Sequence, residues 1–230
     1  MTAQRALAGL LQLASSTLPV GAFSHSLGLE AAHAAGIVHD APSAERWIAD
    51  HLEHVWAPGE APLWLAQYAA WQTSDTAALL ATNDWLLATR ETAELRLENE
   101  QTGRSLAQWL RAMPDDDAIT PAQRDALLSM QPLAFATVHA LAAHTFDLDA
   151  EDGLHALGWS LAENLTMAAL KLVPLGQTAA QALLRRVART LPTCIRIATA
   201  TPSADARNFA PMLAILSSQH ETQYSRLFRS

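Results

Sequence analysis

Helical periodicity runs through almost the whole of this 230-residue chain, which leaves little room for any fold but an all-α one. Ala, Leu, Gln, Glu and Arg carry the pattern, and these are strong helix formers. Short alternating runs of β-branched residues are nearly absent. The exception is TCIRIATAT, Thr193 to Thr201, which reads as a strand or a loop. A helix over 3–14 stops before Leu18-Pro19-Val20-Gly21, and one over 26–35 closes at Gly36. Ser43 is the expected N-cap of a helix to Trp56, and Pro58 and Pro62 bracket the next break. Trp64 and Trp71, seven apart, share a face that belongs in the core. Ser74 is expected to cap a helix to Thr89, followed by an amphipathic stretch over 92–110. MPDDDAITP is the clearest loop, and Thr120-Pro121-Ala122-Gln123 then has a capping-box pattern. Pro132 is expected to open a helix to His144, Asp149 to cap one over 151–173, and Pro174 to restart one to Thr190. A second loop over 191–204 and a last helix over 205–220 complete about ten helices. They form one globular domain, 1–230, with no repeat at solenoid spacing.

Half of the residues are hydrophobic, enough for a large core. No apolar run approaches the roughly 18 residues of a membrane span, so no membrane contact is expected. The first 20 residues hold one Arg and a short apolar run, but alanines dilute it, and it reads as a mature helix rather than a leader. The single cysteine, Cys194, excludes an intrachain disulfide and a thiol-rich metal site, and fits a reducing cytoplasm. Charge is segregated. Residues 1–170 hold seven Arg against 21 Asp and Glu, while 171–230 hold eight Lys and Arg against two acids. An acidic body with a basic last quarter suits two partners, or attraction between the two parts. Nucleic acid is not expected, because the basic part lacks interleaved aromatics and any nucleic-acid motif.

The sequence carries few chemically suggestive clusters. LPVGAFSHSLGLE, Leu18 to Glu30, concentrates two serines, a histidine, a proline and two glycines between helices. It lacks the first glycine of a nucleophile elbow and follows a helix, not a strand, so Ser24 and Ser26 read as N-caps. No lysine follows Gly21 and Gly28, so no phosphate loop is present. Of nine histidines, His51 and His54 are spaced to share a helix face, but two ligands make a weak metal site. Glu91, Glu94 and Glu98 share a face that reads as solvated or partner-facing. No catalytic constellation, metal site or cofactor site is expected. The last segment, SSQHETQYSRLFRS, places Tyr224, Leu227 and Phe228 at helix-like spacing with Arg226 and Arg229 between them. Aromatic anchors flanked by Arg are typical of interfaces, and 217–230 is expected to be flexible alone and to fold onto a partner. Three function classes follow: a binding scaffold that is not an enzyme, a helical hydrolase using Ser24 or Ser26 with His25, and a nickel carrier using His51 and His54.

Four segments, LPVGAFSHSLGLE, ETAELRLENEQTGRSLAQWL, LKLVPLGQTAAQALL and HETQYSRLFRS, in this order, resemble the UreF urease accessory proteins. The resemblance spans almost the whole chain and is weakest over 111–160. It implies an all-helical cytoplasmic homodimer that binds UreD/UreH and the GTPase UreG. Through that complex it would act on apo-urease, supporting nickel insertion and regulating GTP hydrolysis by UreG. Matching positions are Pro19, Gly21, Ser24, Gly28 and Glu30 in the first motif. Glu94, Arg96, Glu100 and Gly103 match the second, and Lys171, Pro174, Gly176 and Gln177 the third. Glu221, Tyr224, Arg226, Leu227, Phe228 and Arg229 match the end that the resemblance assigns to UreD/UreH. Glu30 and Lys171 are the candidates for UreG. His25 stands where the family often carries Tyr. Lys171 is the only lysine, and its compact ammonium is expected to do something Arg does poorly.

Overall fold

A helix that is apolar all round must be surrounded, and residues 135–145 form one. In the computed structural model, which describes residues 2–114 and 119–230, Ala136 to Ala143 are all buried. Around this helix, α8 (Phe135–Thr145), stand α1 (Thr2–Leu13), α4 (Glu60–Thr73), α5 (Thr76–Ala88), α6 (Ala93–Arg111) and α9 (Ala150–Leu172). The remaining helices are α2 (Leu29–Ala34), α3 (Ala41–Asp50), α7 (Pro121–Ser129), α10 (Gln177–Val187), α11 (Leu191–Ala200) and α12 (Pro211–His220). A wider π-type turn, His51–Trp56, continues α3. No strand occurs among the described residues, and no helix among them is long and apolar enough to cross a membrane. The fold is all-α and a single helical domain, as the periodicity predicts.

The tryptophan stripe lies in the core, and its polar edges are satisfied by α8. Trp64 donates to His139 Nδ1 (3.1 Å) and Trp71 to the Thr137 carbonyl (2.9 Å). Gln67 donates to Thr137 Oγ1, and Tyr68 to the Leu148 carbonyl. A Trp N–H donor on Nδ1 fixes the proton of His139 on Nε2. Burial pushes the His139 pKa down to about 3. Gly103 lets α6 cross close to the start of α8. A Cβ there would overlap the Leu133 carbonyl oxygen and the backbone of Ala134.

Several boundaries differ from the sequence reading, for identifiable reasons. Aspartates take N-cap positions assigned to serines. Asp40 caps α3 in a capping box with Ser43, and Asp75 caps α5, while Ser74 ends α4 at φ 54. Ser24 is no cap either, because its hydroxyl donates back to the Gly21 carbonyl. Residues 191–200, read as loop or strand, are helix α11. Thr and Ile alternate there, but the buried set is Leu191, Cys194, Ile195 and Ala198, a helical spacing. Pro132 precedes its helix by three residues, and the last helix starts at Pro211 rather than 205. The capping box at Thr120 and the cap at Asp149 are as expected. The MPDDDAITP loop lies partly outside the described residues.

Candidate functional site

The last turn of α12 and the segment after it lie across α2 and α6, held by Glu30, Glu94 and Glu221. Helix α12 buries Leu213, Leu216, Ser217 and His220, a 3–1–3 spacing that places His220 on the inner face. Its ring is fully buried between two carboxylates, with Nδ1 2.6 Å from Glu94 Oε2 and Nε2 3.1 Å from Glu30 Oε2. Glu30, buried on α2, also accepts from the Leu227 N–H (2.7 Å) and the Phe228 N–H (2.8 Å). Glu94 pairs with Arg226, and Glu221 accepts from the Ala93 N–H at the start of α6 (2.9 Å). A carboxylate at a helix N-terminus also meets the positive end of the macrodipole.

The chain ends against the turn before α2. Ser230 accepts at its carbonyl from the Ser26 N–H (2.8 Å) and Ser26 Oγ (2.7 Å). Its hydroxyl donates to Glu98 Oε2 (2.6 Å), and His25 Nδ1 is 3.0 Å from the same hydroxyl. Ser26 is not the N-cap expected of it, since α2 starts at Leu29 with Gly28 as its N-cap, but its hydroxyl still accepts from the Glu30 N–H in the first turn. Gly28, at φ 77, makes the turn between the two, and a Cβ there would strike Leu213 of α12. The Lys171 ammonium stands 5.0 Å from the centre of the Phe228 ring. Thus the first, second and third motifs and the end of the chain meet at one place.

The glutamate face of α6, expected to be solvated or partner-facing, lies in part under the chain's own tail. Glu98 is 9% exposed, and burial raises its pKa to about 7, against the lowering effects of the Ser230 hydrogen bond and Arg90. Glu94 is largely covered, and only Glu91 of the three is exposed. An amphipathic pattern alone cannot separate an acidic face in water from one under a folded-back segment.

Of the tail residues, Phe228 is buried, whereas Tyr224 and Leu227 are exposed (105% and 60%) beside the exposed Arg226 and Arg229. Exposed Arg96 pairs with the half-buried Glu100 one turn on, and Pro19, Pro174, Gly176 and Gln177 are exposed. Pro174 and Gly176 set the turn into α10, with Gly176 its N-cap. His220 is not among the sequence candidates, although its spacing from Leu213, Leu216 and Ser217 carries the signal.

The chemistry set out for the other two classes is not assembled. His25 is buried, and its pKa falls to about 4 through desolvation and then Arg229. No hydrogen bond among the described residues joins it to Ser24 or Ser26, whose hydroxyls are engaged elsewhere. His51 and His54 lie in the π-type turn, with His51 held near 4 by burial and Arg90, and His54 exposed. No three His, Cys, Asp or Glu side chains converge as metal ligands among the described residues.

A family model described as UreF matches residues 38–188, two thirds of the chain. The chain belongs to the UreF family. Relatives named urease accessory protein UreF come from Cupriavidus taiwanensis, Cupriavidus necator and Cupriavidus metallidurans. They are 50%, 49% and 48% identical to this chain, each over 100% of both chains. The matched UreF span stops short of both the turn at 21–28 and the tail, but includes Glu94, Glu98 and Lys171, against which the tail packs. The full-length relatives do cover it.

Four strongly shifted groups make stability depend on pH. The pKa values of His25, His51 and His139 are lowered in the folded chain, so unfolding takes up a proton at each below about pH 6.5. Glu98 works the other way, because its raised pKa means that unfolding releases a proton between about 4.5 and 7. Three gained against one lost leaves a net uptake of two. Urea unfolding should therefore show stability falling on acidification from pH 6.5 to 5, by up to about 3 kcal/mol per pH unit. A flat profile, or higher stability at pH 5, would contradict the burial of these imidazoles.

Proposed function

We propose that this chain is a non-catalytic urease maturation factor, whose docked tail is the binding surface for UreD/UreH. UreG engages the complex, and together they support nickel insertion into apo-urease in the cytoplasm, with the chain acting as a homodimer. The family supports the accessory role. One observation carries the site: the tail buries Phe228 and Ser230 against the body while leaving the Tyr224 and Leu227 side chains exposed. Phe228, Ser230 and the Leu227 and Phe228 amides face the body. Tyr224 and Leu227 are exposed, with the exposed Arg226 and Arg229 on either side of Leu227, and Met212 and Ile215 of α12 are exposed as well. An apolar centre with cationic edges suits a partner with an apolar patch and acidic rim.

Glu30 takes a different part from the UreG contact expected of it. Buried among tail amides and His220, it orients the surface rather than touching a partner. Lys171 remains the candidate for UreG, because it is exposed in the last turn of α9 with its ammonium over Phe228.

Leu227→Asp combined with Tyr224→Ala tests the surface without touching its anchors. Helicity and melting temperature should stay unchanged, while co-purification with co-expressed UreD/UreH is lost along with urease activation. Full co-purification of this variant would overturn the assignment. Lys171→Arg keeps a cation over Phe228, since guanidinium also stacks on rings. Lowered recovery of UreG with intact UreD/UreH binding is the result expected, and unchanged recovery would remove Lys171 from the UreG site.

A further inference from the structure

A cavity of about 240 Å³ lies between the turn at 20–27, the π-type turn, α6 and α9. It is larger than the roughly 150 Å³ apolar cavity that takes up benzene. Its wall is mainly apolar, with Leu18, Leu95, Leu157 and Leu161, and it opens to solvent past the exposed Phe23, Met167 and Lys171. Most polar side chains of the wall are engaged within the fold. Arg90 pairs with Glu60, Asn99 accepts from the Phe135 N–H, and Thr102 donates to the Glu98 carbonyl. Glu98 and His51 stand apart. Glu98 is 9% exposed, and its Oε2 accepts from the Ser230 hydroxyl. Its Oε1 has no hydrogen-bond partner among the described residues and is not sealed off by neighbouring atoms, so it belongs to the cavity wall. Neither ring nitrogen of His51 has a hydrogen-bond partner among those residues either. Buried polar atoms are nearly always paired, so an unpaired carboxylate oxygen on an apolar wall suits a donor from outside the chain.

The charge of the wall selects the kind of donor. Arg90 is already paired with Glu60, so an ionised Glu98 leaves one negative charge in excess on the inner wall. Lys171 stands at the mouth, with its ammonium over Phe228. An anionic head would meet Glu60 and Glu98. A metal ion would lack ligands, since no three His, Cys, Asp or Glu side chains converge among the described residues. An apolar molecule with no head would leave Oε1 unpaired. We propose that the cavity is a binding site for a small organic ammonium, a primary amine on an apolar body of about one aromatic ring, with the amine donating to Glu98 Oε1. His51 is a second acceptor, because burial keeps its ring neutral. The apolar body fills the leucine-lined part, and the charge-assisted hydrogen bond sets the preference for an amine. The site is separate from the exposed tail surface, so either assignment can fail while the other holds.

Benzylamine, benzyl alcohol and benzoate have nearly the same body and differ in the charge of the head. Each is titrated into the full chain at pH 7.5, with backbone amide shifts at Leu95 and Leu161 as the readout. Benzylamine should bind at least about tenfold more tightly than benzyl alcohol, and benzoate should not bind. Glu98→Gln should bring the amine-to-alcohol ratio to about one. The acid dependence needs no variant. Around Glu98 stand Arg90 with Glu60, His51, Lys171, the Ser230 hydroxyl and His25, whose Nδ1 is 3.8 Å from Oε2. Arg229 acts on His25 in turn. Both imidazoles are held near 4, while the Glu98 pKa is raised to about 7, so Glu98 changes charge between pH 5.5 and 7.5. An ammonium binds the ionised form, so below pH 7 binding releases a proton from Glu98. Benzylamine affinity should therefore fall about tenfold or more from pH 7.5 to 5.5. Three results would each overturn the proposal: no saturable shift with benzylamine up to about 10 mM, equal affinity for the amine and the alcohol, or a flat pH profile. If Glu98→Gln does not fold, the probe comparison and the pH series in the unaltered chain decide alone.

Discussion

Glu30→Ala is expected to lower the unfolding free energy by about 3–5 kcal/mol, because each buried donor left without an acceptor costs about 1–3 kcal/mol. The reason is the number of groups left behind. Glu30 accepts from two consecutive amides and faces the buried His220 ring, so its loss strands three donors at once. His220 keeps only Glu94, and it is fully enclosed. Denaturant unfolding should show a lower midpoint with nearly the same slope, because the folded body remains as compact. Glu30→Gln should cost less, since its carbonyl oxygen can still accept one amide. A change below about 1 kcal/mol in the alanine variant, the scale of an ordinary exposed hydrogen bond, would mean that the tail is not docked as described.

Gly103→Ala has an expected sign opposite to helix propensity. In an exposed helix interior the change would add about 1 kcal/mol of stability. Here the new methyl meets backbone, the Leu133 carbonyl and the Ala134 carbonyl carbon, rather than the movable end of a side chain. Helices α6 and α8 would have to part, and α8 is the central helix, flanked by α1, α4, α5 and α9 as well. Overpacking of this kind costs about 1–3 kcal/mol, so a net loss is expected, with a lower melting temperature by thermal unfolding. A rise in melting temperature would show that the crossing has slack.

These two positions also show how far the sequence can be read. Gly103 is marked only by its place in a resembled motif, because the need for a glycine arises from another helix passing over it. The helices themselves are legible wherever a cap and a 3.6-residue pattern agree, as at Thr120 and Asp149. They mislead where local signals conflict. Thr193, Ile195, Ile197 and Thr199 alternate like a strand, and only the burial of Cys194, Ile195 and Ala198 reveals the helix. Adjacent Ser and Asp at 74–75 and Asp40 with Ser43 offer two plausible caps, and aspartate takes both.

The site is legible in parts and not as a whole. Glu30, Glu94 and the tail each stand out, but nothing local says that Glu30 meets residues 227 and 228. Contacts across nearly 200 residues are set by the packing of α2, α6 and α12. For the same reason the glutamates look solvated, since water and a folded-back tail demand the same polar face. The basic last quarter gives the one long-range hint. Its attraction to the acidic body is realised at Arg226 with Glu94 and at Arg186 with Glu45.

Amide hydrogen exchange at Leu227 and Phe228 in the isolated chain tests the central claim most directly. A tail docked through Glu30 predicts that both amides exchange at least about tenfold more slowly than an unstructured peptide of the same sequence, and that Glu30→Ala abolishes the protection. Exchange of both at the unstructured rate in the unaltered chain would show that the tail is free, and the docked surface proposed for UreD/UreH would fall with it.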